Sequence, residues 1–180
     1  MKEKYDLQHR VLDKFAKCVQ IRHAKIQYII YFTPQVLIDP NDPYLAASLD
    51  GLIENEAVVE IKCPYVAKDT TSAIEAVNNK LLHYCSLVNN KIKLKTEHAY
   101  YYQIMGQFHI SRRKLCYFVV HTNNWTNIEK IKYISTFWES KMVHKLRAFY
   151  LQCLLSEIVQ PLYPTRMLKS DIRERDTIVI

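Results

Sequence analysis

The chain has 180 residues, is 49% hydrophobic and 24% charged, and carries a formal net charge of +7. That is the size and make-up of one globular domain with a sizeable buried core, which excludes a largely disordered chain. Its only glycines are Gly51 and Gly106, so the Gly-rich phosphate loops of P-loop and dinucleotide-binding domains are excluded as well.

Apolar residues recur at helical spacing over 5–22, at Leu7, Val11, Leu12, Phe15 and Val19. Residues 26–38 are rich in Ile, Tyr, Val and Phe and predict strand, interrupted at Pro34. Asp39-Pro40-Asn41-Asp42-Pro43 is a turn by composition. Residues 45–53 predict a strand with Gly51 in a bend, Glu54-Asn55-Glu56 a hairpin turn, and 57–63 a second strand stopped by Pro64. A helical region begins over 71–77. Asn89, Asn90, Lys91, Lys93 and Lys95 read as a solvated connector. A helix follows over 97–111, then strands over 115–122 and 128–134, then a long helix over 136–160 ended by Pro161. This order predicts an α/β (α+β) fold with a mixed central sheet flanked by helices. It reads as a single domain over 1–165 with a charged tail over 166–180.

The positive charge favours an anionic partner such as nucleic acid, although scattered lysines and arginines also suit a soluble basic surface. The five cysteines are odd in number and form no CxxC pair, so they read as reduced, mostly buried thiols. The polar N-terminus MKEKYDLQHR is no secretory signal, and no apolar run reaches membrane-spanning length. The expectation is an intracellular protein of the nucleus or cytoplasm, not secreted and not bound to membrane.

The chemistry concentrates in Ala47-Ser48-Leu49-Asp50-Gly51 and Val58-Val59-Glu60-Ile61-Lys62-Cys63-Pro64. Residues two apart on a strand share a face, so Glu60 and Lys62 project together from an otherwise apolar strand. Charges there are costly unless something pairs or uses them. Antiparallel pairing across the short hairpin sets Asp50 beside Glu60, and two adjacent carboxylates repel. A divalent cation removes that conflict, and Mg²⁺ favours a few carboxylate oxygens with waters and substrate phosphate. Such a metal activates water for phosphoryl chemistry, and Lys62 is placed to orient that water or stabilise developing charge. Gly51 is expected to let the backbone bend sharply beside the metal. The same residues also suit a surface hairpin carrying an ordinary ion pair.

The string LAASLDGLI…VVEIKCPY resembles the YqaJ-type viral recombinase, or lambda exonuclease-like, branch of the PD-(D/E)xK nucleases. A second block agrees: Tyr101-Tyr102-Gln103-Ile104-Met105-Gly106-Gln107-Phe108, then 112–120. The resemblance spans roughly 43–160. It implies a restriction-endonuclease-like core and Mg²⁺-dependent hydrolysis of DNA, with Mn²⁺ as the alternative metal. Asp50 and Glu60 fall on the family's metal ligands, with the Ile61 backbone carbonyl as a further one. Lys62 falls on the catalytic lysine and Gln103 on the active-site glutamine. Leu49 stands where the family usually has proline. By spacing, Gln8 occupies the helix position where the family usually places a metal-binding glutamate. A neutral amide is a poorer Mg²⁺ ligand than a carboxylate. The chain thus also reads as one whose N-terminal helix is truncated or degenerate. The resemblance further implies exonucleolytic action on linear duplex ends in recombination or repair, a homo-oligomer (ring-shaped in some relatives) and a single-strand-annealing partner.

Candidate DNA contacts are Ser48, Gly51, Tyr100, Gln107 and the cluster Arg112, Arg113 and Lys114, since phosphates take most protein–DNA hydrogen bonds. Lys68, Lys80, Lys91, Lys93 and Lys95 are further basic candidates. Gln103 and Gln107 lie one helical turn apart and share a face with Tyr100, which suits either a site-facing or a solvated surface. The run Tyr100-Tyr101-Tyr102 is a candidate for stacking on a frayed base. Three functions fit: a Mg²⁺-dependent deoxyribonuclease, a catalytically decayed DNA-binding module on the same fold, and an RNA-directed nuclease.

Overall fold

The computed structural model describes residues 30–31 and 35–159. The helix expected over 5–22, with Gln8, and the charged tail lie outside the described residues. The chain divides into two compact units, Met1–Tyr133 and Ile134–Ile180.

The first unit is built on a five-stranded sheet. Its strands are β1 (Ile30–Tyr31), β4 (Gly51–Ile53), β5 (Ala57–Lys62), β8 (Leu115–His121) and β9 (Thr126–Lys132), in the order β1-β4-β5-β8-β9. β5 and β8 are parallel and the other pairs antiparallel, so the sheet is mixed, as the element order predicts. β5 is central and carries Val58, Val59 and Ile61, β-branched residues that suit a strand buried on both faces. Ile53, Ala57, Val59, Ile61 and Val119 form a core on one face, joined by partly buried Cys63, Leu115, Tyr117 and Ile128.

Helix α2 (Ala99–Ser111) packs on β5, β8 and the strand β3 (Ala46–Leu49). Its first turn is capped by His98, whose ring nitrogen accepts from the Tyr100 N–H at 3.2 Å. It ends at Arg112, which takes the left-handed conformation at φ 60°. Ile104, Met105 and Phe108 of α2 are 0–1% exposed, as is Phe118 of β8. Burying each such side chain contributes about 2 kcal/mol. The short helix α1 (Ala73–Asn78) begins at Ser72, whose hydroxyl accepts from the Glu75 N–H.

Three expectations need correction. The predicted strand over 45–53 is two strands in different sheets. β3 pairs with β2 (Gln35–Ile38), β4 belongs to the central sheet, and the break falls at Asp50. The bend is not a left-handed glycine either: neither glycine has positive φ, and Gly51 is a buried strand residue opposite Val59. The solvated connector is a hairpin of β6 (Cys85–Val88) and β7 (Lys91–Leu94). Asn89 and Asn90 turn it with φ of 49° and 59°, which asparagine tolerates and which matches the twist of the strands. Lys91 and Lys93 alternate with Ile92 and Leu94, which are 7% and 6% exposed, and that alternation is a strand signal.

In the second unit the described residues are helical from Ser135–Phe137 to Leu155–Val159, as the periodicity predicts. Two stretches, Trp138–Met142 and Tyr150–Leu154, are π-helical. Among the described residues no helix is long and apolar enough to cross a membrane.

Candidate active site

The hairpin between β4 and β5 fixes the geometry. Glu56 donates its N–H to the Ile53 carbonyl at 3.1 Å, closing the turn at Glu54, whose φ is 42°. Gly51 pairs with Val59, so Asp50 stands across from Glu60. The Ile61 N–H donates to Asp50 Oδ2 at 2.7 Å, which locks that carboxylate against β5. Glu60 and Lys62 project from the same face of β5, the face covered by α2.

Glu60 is 2% exposed, and three donors arrange it. Lys62 Nζ and Gln103 Nε2 donate to its Oε1, the latter at 2.9 Å. Gln107 Nε2 donates to Oε2 at 2.7 Å and also to the Ser48 carbonyl at 3.2 Å. Burial, then the neighbouring Asp50 charge, pushes the Glu60 carboxyl above its ordinary value, against the lowering effects of Lys62 and Gln107. Lys62 is held from a second side by the Tyr100 ring, whose centroid lies 4.1 Å from Nζ. Tyr100 packs edge-on against Tyr84 and His98 at 5.1 and 4.8 Å between centroids.

These groups line a cavity of about 720 Å³ whose wall includes Ser48, Asp50, Glu60, Ile61, Lys62, Tyr100 and Gln103. Six expected residues thus meet from three elements: Asp50, Glu60, Lys62, Tyr100, Gln103 and Gln107. Of the glutamines, Gln103 is exposed towards the cavity and Gln107 is buried. Ser48 lines the cavity and Gly51 lies beside it in β4.

The basic cluster is elsewhere. Leu115 pairs with Ala57, at the opposite end of β5 from Lys62, which is roughly 16 Å along a strand of five residue steps. Arg112 Nη2 donates to Asp39 Oδ1 at 2.9 Å, and Arg113 Nη2 donates to the Glu54 carbonyl at 2.6 Å. Both guanidiniums brace the scaffold. Lys114 is exposed at that same end. The tyrosine run also divides: Tyr101 is 6% exposed, whereas Tyr100 is half-buried on the cavity wall with Lys62 over its ring.

Sequence reasoning missed Tyr65, Tyr84, His121, Thr122 and Asn123 on the cavity wall. Thr122 and Asn123 follow the C-terminal end of β8, the parallel neighbour of β5. The end of a strand beside the strand carrying the charges was the signal available for them. Cys63, Cys85, Cys116 and Cys153 are in no disulfide, and burial pushes the Cys85 thiol up to about 12, as expected of an inert buried thiol.

Two carboxylates, Asp50 at the break before β4 and Glu60 on β5, beside a cavity with room for waters and a phosphate, are a donor set that suits Mg²⁺. Among the described residues no third His, Cys, Asp or Glu joins them as a metal-binding group.

The profile of the YqaJ-like viral recombinase domain matches residues 11–114, which include Asp50, Glu60, Lys62, Gln103 and Gln107. No curated protein matches the chain. Among solved structures it is similar to an alkaline exonuclease, LHK-Exo, from Laribacter hongkongensis. The identity is 20% and the TM-score 0.56, over 83% of this chain and 68% of that one. It is similar also to LHK-Exo in complex with dAMP, at 19% identity and a TM-score of 0.57, over 87% and 71% of the two chains. The likeness extends to the mixed α+β fold, and the profile spans more than half of the sequence. The chain belongs to the YqaJ-like viral recombinase domain family.

Proposed function

We propose that the protein is a Mg²⁺-dependent deoxyribonuclease that hydrolyses phosphodiester bonds from the ends of linear duplex DNA. One observation carries this reading: Glu60 and Lys62 leave one face of β5 directly beside Asp50, and all three border the same cavity. A buried carboxylate with a second carboxylate beside it is an expensive arrangement for a scaffold and a useful one for a cation. Family membership and the alkaline exonuclease neighbours support the same reading.

Asp50 and Glu60 would hold the metal, with the Ile61 carbonyl as a further oxygen. When bound, the metal supplies a polarised phosphoryl oxygen and a more acidic water. The chain's own groups do the rest. Gln107 and Gln103 fix the Glu60 carboxylate through both oxygens, so its direction does not depend on substrate. Lys62, steadied by Tyr100 and within 3.5 Å of Gln103 Oε1, brings a positive charge to the cavity. There it orients the attacking water and offsets charge on the phosphoryl oxygens, a contribution of about 10²–10³ in rate for one well-placed donor.

The test is cleavage of end-labelled linear duplex DNA with Mg²⁺, beside an EDTA control and the Lys62→Ala protein. Degradation that requires both metal and Lys62, and that spares closed circular DNA, is the expected result. Salt-sensitive DNA binding with no cleavage would replace this reading with that of a binding module.

A further inference from the structure

The segment after Lys62 is built in a way the hydrolytic site does not require. Pro64 starts a single 3-10 turn, Tyr65–Ala67, closed by hydrogen bonds from Ala67 to the Pro64 carbonyl and from Lys68 to the Tyr65 carbonyl. Ala67 is 0% exposed and anchors the turn. Thr70 Oγ1 donates to the Ala67 carbonyl at 2.7 Å. The β8–β9 turn reaches over to hold the same segment: Asn124 Nδ2 donates to the Lys68 and Thr70 carbonyls at 3.1 Å, and Trp125 Nε1 donates to Thr70 Oγ1 at 2.9 Å. What this braced turn displays is Tyr65, 76% exposed on the wall of the cavity.

Lys68 fixes the ring. Its Nζ donates to Tyr65 Oη at 2.7 Å and lies 4.2 Å from the ring centroid, capping the hydroxyl end. With so much of the residue exposed, an open aromatic face remains. A rigid exposed aromatic costs little conformational freedom when a ligand covers it. Chemistry selects the ligand. The neighbouring wall carries carboxylates and lysines, which suits a charged, metal-bridged backbone and not an apolar peptide. Every nucleobase has a π-face, so stacking tolerates any sequence. Stacking needs an unpaired base, as at a frayed duplex end or in a single strand.

We infer that Tyr65 is the stacking platform for an unpaired nucleobase adjoining the phosphate held at Asp50, Glu60 and Lys62, with Lys68 fixing the ring and adding positive charge beside it. This rests on the nuclease reading above, and its test separates the two. Binding of the full-length protein to short fluorescein-labelled oligonucleotides is measured by anisotropy in EDTA. The strands are either intact or abasic (tetrahydrofuran) at each of the three terminal nucleotides in turn. Tyr65→Ala should weaken binding of the intact strand by about tenfold to a hundredfold. At one abasic position that penalty should shrink to less than about twofold, because the partner ring is already gone. Tyr65→Phe, which keeps the ring but loses the hydrogen bond from Lys68, should keep the coupling and lose far less affinity than Tyr65→Ala. Equal penalties on intact and abasic strands, or no penalty on the intact strand, would overturn the platform. If the unaltered chain binds with this coupling yet cuts nothing in Mg²⁺, the platform stands and the cleavage reading falls. If it cuts without the coupling, the reverse holds. No binding by the unaltered chain sinks both.

Discussion

Among the described residues of the first unit two carboxylates lie buried, and they are held in opposite ways. Asp39, 0% exposed, accepts from Arg112 Nη2 and from the N–H groups of Asn41 and Asp42 in its own loop, and His109 Nε2 lies 3.3 Å from its second oxygen. Its neighbours are donors, and the nearest full charge is an opposite one. Glu60, 2% exposed, also has donors on both oxygens, but a second carboxylate stands beside it and its cation is shared with an aromatic ring at the cavity wall. Asp39 ties the turn before β3 to the end of α2, whereas Glu60 stands in a conflict that the fold leaves in place. A buried charge with a matched local partner marks scaffold, and a buried charge beside its like marks a site.

The strongest way to break this contrast is to remove one group from each place and measure both stability and cleavage. Asp50→Ala and Lys62→Ala should each lower DNA cleavage by at least about 10²-fold, and Asp50→Ala should move the urea midpoint little, because relief of its repulsion with Glu60 offsets the lost acceptor of the Ile61 N–H. Asp39→Ala should do the reverse. It strips an acceptor from two loop N–H groups and from Arg112, at a cost of about 2 kcal/mol, or roughly 4–8 °C in Tm. The cleavage rate of its folded fraction should be unaltered. Loss of cleavage at full stability in Asp39→Ala would end the scaffold assignment.

Glu60→Gln sharpens the comparison further. Because the Glu60 carboxyl is raised above its ordinary value, the folded protein keeps that proton to higher pH than the unfolded chain does. Its favourable contribution is therefore full below the ordinary glutamate value and is lost as pH rises through the raised folded value. In EDTA at pH 8, Glu60→Gln should melt about 2–4 °C higher than the unaltered protein, with the difference vanishing near pH 4. Mg²⁺ should stabilise the unaltered chain and not the variant. Destabilisation of Glu60→Gln at every pH would make Glu60 a second Asp39.

The site was legible in the sequence because a three-residue turn leaves little freedom of register. Glu54-Asn55-Glu56 between two apolar runs already sets Asp50 across from Glu60, and strand periodicity sets Lys62 on the same face. The mixed sheet followed from element order. Other features depended on tertiary placement. Nothing local distinguishes Tyr65, bared on a braced turn, from Tyr101, buried in α2. Arg112 and Arg113 read as phosphate ligands until the fold supplies Asp39 and the Glu54 carbonyl as their partners. The β6–β7 hairpin was readable in principle from Asn89-Asn90 and the alternation after it. There, lysine-rich composition outweighed periodicity.

The smallest expected effect lies where the scaffold meets the site, at His98. Its Nδ1 accepts from the Tyr100 N–H, which only a ring unprotonated at that nitrogen can do. Burial holds the imidazole below its ordinary value, with His83 and Lys95 adding to the effect and Glu97 opposing it. The folded state thus resists a proton that the unfolded chain takes up near pH 6.5. The cap's contribution, about 1 kcal/mol, is full above that pH and is lost as pH falls through it towards the depressed folded value. Since Tyr100 also steadies Lys62, amide exchange of Tyr100–Tyr102 should quicken at pH 5.5 relative to pH 7.5, after correction for intrinsic rates. His98→Asn, which caps at either pH, should abolish that difference. If the acid sensitivity survives in His98→Asn, it belongs to another group, and the tie between the helix cap and the lysine is broken.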